Sequence, residues 1–144
     1  LRKAFAVTVI ITVLLLVGIF ARGAKNPRPS AAVDTDTKVI ELIAKQYDFA
    51  PEEIHVKKGA RVQLKVRAAD RSHGLKMSLY PDGADQSGPP GLKIDPPQVN
   101  WKIEKDEERI IEFVAERAGT YGFKCSIFCG LGHGGMRGKL VVEE

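Results

Sequence analysis

Cys125-Ser126-Ile127-Phe128-Cys129-Gly130-Leu131-Gly132-His133-Gly134-Gly135-Met136 places two thiols, an imidazole and a thioether within twelve residues. Both cysteines of the chain are here. The donors are soft or borderline, a set suited to copper rather than to magnesium or calcium. Glycines 130, 132, 134 and 135 punctuate the stretch, and Gly138 follows it. Glycine tolerates positive φ, so such a loop can turn several side chains inward onto one centre. A strand would send alternate residues to opposite faces.

The segments on either side of the loop carry a strand pattern. Tyr121, Phe123 and Cys125 alternate before it, and Leu140 and Val142 after it. Further upstream, Ile40, Leu42 and Ala44 form one alternating set. Ile54 with Val56, then Val62, Leu64 and Val66, form others, as do Trp101 with Ile103 and Ile111 with Phe113. His73, Leu75, Met77 and Leu79 share a face if that segment is extended, which makes His73 a candidate ligand arriving from a remote strand. Short period-two runs separated by Gly, Pro and Asp predict an all-β, antiparallel sandwich over residues 38–144. Lys57-Lys58-Gly59 is a turn, Pro81 to Pro97 an exposed excursion, and Glu104 to Arg109 a solvated turn. Met77 and Trp101 are read as core, with a surface electron-entry patch as the alternative for Trp101. His55 is read as an exposed strand residue without a partner.

The N-terminus is different in kind. Ala4 to Ala21 carries no charge and is rich in Val, Ile and Leu. As a helix it would span about 27 Å, close to the hydrocarbon thickness of a bilayer. Residues 1–22 are therefore expected to be a transmembrane anchor, with a cleaved signal segment as the alternative. Residues 23–37, containing Pro27 and Pro29, form a linker. Either reading sends the remainder to the outer, periplasmic face of a membrane. The formal charge of +4 is a property of these flanks, since Arg2, Lys3, Arg22, Lys25 and Arg28 precede the first acid, Asp34. No basic and aromatic patch suggests a nucleic-acid partner.

Several chemistries fit the loop taken alone. Cys125 and Cys129 could pair as a disulfide in an oxidising compartment. One cysteine with two histidines and a weak Met could hold a single blue copper. Zinc accepts Cys₂His₂, although Met is a poor zinc ligand. A thioredoxin-type redox site can also carry two nearby cysteines, but these normally open a helix within a βαβ unit.

Cys-Ser-x-x-Cys-Gly-x-x-His-x-x-Met resembles the binuclear purple-copper (CuA) signature of the cupredoxin superfamily, found in subunit II of haem-copper cytochrome oxidases and in nitrous oxide reductase. Asp70-Arg71-Ser72-His73-Gly74-Leu75, Gly119-Thr120-Tyr121 and Gly138-Lys139-Leu140-Val141-Val142 extend the similarity over roughly residues 38–144. The resemblance implies a Greek-key β-sandwich holding two copper ions. It further implies that Cys125 and Cys129 bridge the ions through their thiolates. His73 and Met136 would bind one ion, and His133 with the backbone carbonyl of Ile127 the other. Many oxidase subunits carry Glu at the position of Ile127, where it also serves a hard metal; Ile127 has no such side chain. Subunit II usually has two membrane helices, and one is expected here.

The expected function is electron transfer: accepting electrons from a c-type cytochrome or small copper protein and passing them to the catalytic subunit of a haem-copper oxidase. A stand-alone anchored copper protein, for shuttling electrons or delivering copper, is the alternative. The chain has no Cys-x-x-Cys-His haem attachment motif and no catalytic site of its own.

Overall fold

The computed structural model describes residues 36–144. The expected anchor and nearly all of the expected linker lie outside the described residues. Among the described residues there are ten strands and one 3₁₀ turn, His133–Gly135. In chain order the strands are β1 (Thr37–Lys45), β2 (Asp48–Ala50), β3 (Glu53–Lys57), β4 (Arg61–Ala68), β5 (His73–Met77), β6 (Leu92–Lys93), β7 (Asn100–Ile103), β8 (Glu108–Ala115), β9 (Gly119–Lys124) and β10 (Arg137–Glu143). They form two five-stranded sheets, ordered β2-β1-β4-β8-β6 and β3-β10-β9-β5-β7.

The alternation in sequence becomes the inner faces of these sheets. Leu42, Val62, Leu64, Val66, Ile111 and Phe113 face inward from the first sheet. Leu75, Met77, Ile103, Tyr121, Phe123, Leu140 and Val142 face them from the second. Polar neighbours on the same strands stay outside, as half-buried strands require. Trp101 and Met77 are both buried, in agreement with their reading as core. Phe49, on the short β2, meets Phe123 edge to face with ring centroids 5.3 Å apart. Such a pair contributes about 0.5–1.5 kcal/mol beyond the area it buries.

Two expectations change. The sandwich is not wholly antiparallel, because β1 runs parallel to β4 and β3 parallel to β10. The chain leaves the first sheet after β2, contributes β3 to the second, and returns as β4 in the direction of β1. Two strands joined through the opposite sheet need not run antiparallel. The Pro81–Pro97 excursion is also not wholly exposed. It carries β6, which pairs with β8 and buries Leu92 completely. Two residues are too few for a period-two pattern to show.

The second sheet positions the site. Strands β5 and β9 are antiparallel, with Lys76 opposite Lys124 and Met77 opposite Phe123. Extending that register carries the residues after Lys124 alongside the start of β5, where His73 lies. Gly74 makes this approach possible: a Cβ there would lie 2.1 Å from Ser126 Oγ and 3.0 Å from the Ile127 nitrogen.

Candidate metal centre

Strands β9 and β10 pair antiparallel with Lys124 opposite Arg137. The segment from Cys125 to Met136 is thus a closed loop between them. Its base is tied by the Cys125 N–H donating to the Met136 carbonyl at 3.0 Å. Within it, the His133–Gly135 turn is closed by the Gly135 N–H on the Gly132 carbonyl and the Met136 N–H on the His133 carbonyl. Glycine matters here for close approach more than for positive φ. Only Gly130 of the loop glycines has positive φ, at 131°. The Tyr47 ring lies where a Gly132 side chain would start.

The donors converge at one end of the sandwich. Cys125 Sγ and Cys129 Sγ are 3.9 Å apart, both buried and both free thiols. His73 Nδ1 lies 3.8 Å from Cys125 Sγ, and His133 Nδ1 lies 3.7 Å from Cys129 Sγ. Two weaker donors complete the set. The Ile127 carbonyl accepts from Cys125 Sγ at 3.2 Å, and Met136 Sδ is 3.8 Å from Cys129 Sγ. His73, Cys125 and Cys129 form the tightest group, with their ligand atoms all within 4.8 Å of one another. Every residue singled out in the sequence, His73, Cys125, Ile127, Cys129, His133 and Met136, is brought into this one cluster.

The spacing fits a shared metal. A disulfide needs sulfurs about 2.05 Å apart, so this arrangement is not a disulfide. Two thiolates on one tetrahedral ion with bonds of about 2.3 Å stand about 3.8 Å apart, close to the observed separation. The soft thioether beside two sulfurs and two imidazoles is better suited to copper than to zinc. Among the described residues no α-helix follows the cysteines, only the 3₁₀ turn His133–Gly135, unlike a thioredoxin-type site.

The cluster is held from outside by residues that the sequence alone did not single out for this role. Asp70 Oδ1 lies 2.7 Å from His73 Nε2, leaving Nδ1 to face the sulfurs. Asp70 also accepts from the backbone N–H groups of Gln46 and Arg71, each at 2.9 Å. Burial alone would raise the Asp70 carboxyl, but the Gln46 N–H, the His73 ring and the Arg71 N–H together hold it below its usual value. The Cys129 carbonyl accepts from Arg71 Nη1 at 2.8 Å and from Gln46 Nε2. Ser126 Oγ is 2.5 Å from Asn100 Oδ1. The Asp-x-x-His spacing was a usable signal for Asp70; the Gln46-Tyr47 corner has none in the local sequence.

Burial, then the neighbouring Cys125 thiol, push the Cys129 thiol up to about 11. A metal must displace that proton, as metal-bound thiols require. One edge of the cluster is open. His133 is partly exposed, with the Phe128 ring 6.0 Å from its own, and Phe128 and Leu131 are 74% and 99% exposed. His55, on the opposite edge of the second sheet, is exposed and takes no part. It is not unpartnered, however: its two ring nitrogens lie 3.0 Å from Glu143 and 2.8 Å from Glu53.

Comparison with known proteins agrees with this architecture. Residues 9–142 match the cupredoxin-like domain family. Cytochrome c oxidase subunit 2 of Thermus thermophilus is 25% identical over 105 residues, which make up 73% of this chain and 65% of that subunit. The chain thus spans just under two thirds of the length of that relative. A chain of a heme-copper terminal oxidase dimer, solved by cryo-EM, superposes with a TM-score of 0.55 at 25% identity, covering 76% of this chain and 66% of that one. Auracyanin A, a blue copper protein of Chloroflexus aurantiacus, shares the fold with a TM-score of 0.54 at 21% identity, over 74% of this chain and 99% of its own. An all-β sandwich with a thiol, imidazole and thioether cluster at one end, matched along nearly its whole length, makes this chain a member of the cupredoxin-like domain family, related to subunit 2 of cytochrome c oxidase.

Proposed function

We propose that the chain is a membrane-anchored electron-transfer domain with a binuclear copper (CuA) centre, serving as the electron-entry subunit of a haem-copper oxidase. The observation that carries this reading is the paired arrangement of two buried thiols 3.9 Å apart, each with its own imidazole nitrogen within 3.8 Å. A single-copper site needs one thiol, and the second would have no role at such depth. Cys125 and Cys129 would bridge, with His73 and Met136 on one ion and His133 and the Ile127 carbonyl on the other. Two copper ions sharing both thiolates would supply one-electron transfer with little change in geometry.

The chain's own residues keep that change small. Asp70 fixes the His73 ring, and Arg71 and Gln46 clamp the Cys129 carbonyl. The sandwich buries Cys125, Cys129 and Met136 almost completely. His133, beside the exposed Phe128 and Leu131, is the route between the centre and the surface. In this reading residues 1–22 anchor the domain and residues 23–37 hold it off the bilayer on the periplasmic side. A c-type cytochrome or small copper protein is the donor and the oxidase's haem-bearing subunit the acceptor.

Electron paramagnetic resonance of the copper-loaded chain tests the centre. A mixed-valence pair gives a seven-line hyperfine pattern in a purple protein. Four lines and a blue colour would replace it with a single copper. Co-purification with a haem-containing membrane subunit supports the oxidase role, and isolation without one favours a stand-alone electron carrier or copper-delivery protein.

A further inference from the structure

Three cations stand side by side across the second sheet, next to the candidate metal centre. Lys76 on β5 is directly opposite Lys124 on β9, and Lys124 is directly opposite Arg137 on β10. All three are exposed. Like charges in directly opposed cross-strand positions are destabilising, so folding alone gives no reason to collect them. Most other strand lysines on this sheet's surface are neutralised: Lys57 by Glu143, Lys102 by Glu104, and Lys139 by Glu53. Among the described residues, Lys76, Lys124 and Arg137 make no ion pair. Arg137 donates only to the Gly134 carbonyl, at 2.5 Å.

The row borders an open cleft of about 930 Å³ that reaches Cys125, His133 and Met136. Asn100, opposite Lys76 on β7, extends the polar edge. Among the described residues no carboxylate lines the cleft. A one-signed field beside a redox centre concentrates partners of the opposite charge and repels those of the same charge. The described domain has no excess of basic residues; the positive charge is local to this face.

We infer that the Lys76–Lys124–Arg137 row is the docking face for an acidic redox protein, which it orients over His133 for electron exchange with the copper centre. This rests on the electron-transfer reading above and adds the charge of the partner to it. A basic cytochrome would meet like charge here and dock poorly. The partner surface that fits carries carboxylates to oppose the row and an apolar spot to meet Phe128 beside His133.

The test is stopped-flow reduction of the copper-loaded full chain in neutral detergent by two reduced c-type cytochromes of matched potential, one acidic and one basic. With the acidic donor the bimolecular rate should fall about tenfold or more as salt rises from about 10 to 300 mM; with the basic donor it should rise. Lys76→Glu with Lys124→Glu should reverse both trends. Lys76→Gln with Lys124→Gln should flatten the acidic donor's salt dependence. Neither pair should alter the copper absorption spectrum or the rate with a small uncharged reductant.

Equal behaviour of the two donors, or no response to the substitutions, overturns the docking face. So does a saturable effect of phosphate at constant ionic strength without donor-charge dependence, which would mark a small-anion site. Loss of binding to phosphatidylserine vesicles in the variants, with unchanged donor rates, would assign the row to the bilayer and overturn it as well. A normal copper spectrum with fast uncharged-reductant kinetics and no charge dependence sinks only this proposal. Failure to form the copper spectrum sinks the electron-transfer reading and this proposal with it.

Discussion

His73 Nε2 sits 2.7 Å from Asp70 Oδ1, and the opposite nitrogen of the same ring faces Cys125 Sγ at 3.8 Å. With Nε2–H donating to the carboxylate, the Nδ1 lone pair is left for a metal, and the hydrogen bond holds both the tautomer and the orientation of the ring. Asp70→Ala removes this hold while leaving all six candidate ligands in place. Copper affinity, measured by competition with a chelator, is expected to fall about 10- to 100-fold, with a shifted absorption spectrum. An unchanged affinity would mean that packing alone positions His73.

Gly74 and Gly134 offer a matched contrast. A methyl at Gly74 would collide with Ser126 Oγ and press the Ile127 nitrogen, whereas nothing lies within 4 Å of one at Gly134. Gly74→Ala should destabilise the domain by about 1–3 kcal/mol, the usual cost of overpacking, and disturb the copper spectrum. Gly134→Ala should stay within about 0.5 kcal/mol of the parent, as surface changes do. Thermal melts with and without copper measure both.

The Cys129 thiol, pushed up to about 11 by burial and by Cys125, is protonated at neutral pH in the metal-free chain. In the unfolded chain it ionises near its ordinary value of about 8.5. Its contribution to the stability of the metal-free fold is therefore complete below about 8.5 and is lost as pH rises toward 11. Copper reverses the preference, because it binds the thiolate. Metal-free protein should lose melting temperature above about pH 8.5 while the copper form does not, and copper uptake should release protons to a pH indicator.

His55 is tied to Glu143 first and Glu53 second, which raise its proton affinity, and His55 in turn helps lower both carboxyls. A histidine raised on folding stabilises fully below its unfolded value of about 6.5, and that stabilisation fades as pH rises through the higher folded value. His55→Gln should flatten the melting-temperature profile across this window without changing the copper spectrum. A profile identical to the parent would show that these exposed pairs are fully screened by solvent.

Much of this protein was readable along the chain because the relevant physics is local. Period-two alternation marks half-buried strands wherever the strand is long enough, as in Val62-x-Leu64-x-Val66. The twelve-residue loop announces a soft-metal site because its donors are soft whatever their arrangement. Where the local signal was short it failed: Leu92 on a two-residue strand passed for loop, and Phe49 on a three-residue strand went unnoticed. Of the two partners of His55, Glu53 lies two residues before it on the same face of β3 and was within reach of the alternation, whereas Glu143 lies 88 residues away and arrives only through the parallel β3–β10 pairing.

By itself, then, the sequence determined the strand class, the donor set and the place of the two thiols in a glycine-rich loop. Tertiary structure alone decided that His73, 52 residues before Cys125, lies beside its sulfur. It also decided that Asp70, Arg71 and Gln46 brace the cluster, and that Lys76, Lys124 and Arg137 line up without a counter-ion among the described residues. Alternation records which side of a strand is buried, and side-chain chemistry records what a residue can bind. Which strands become neighbours, and in what register, depends on contacts between distant segments, and only the folded sandwich brings those segments together.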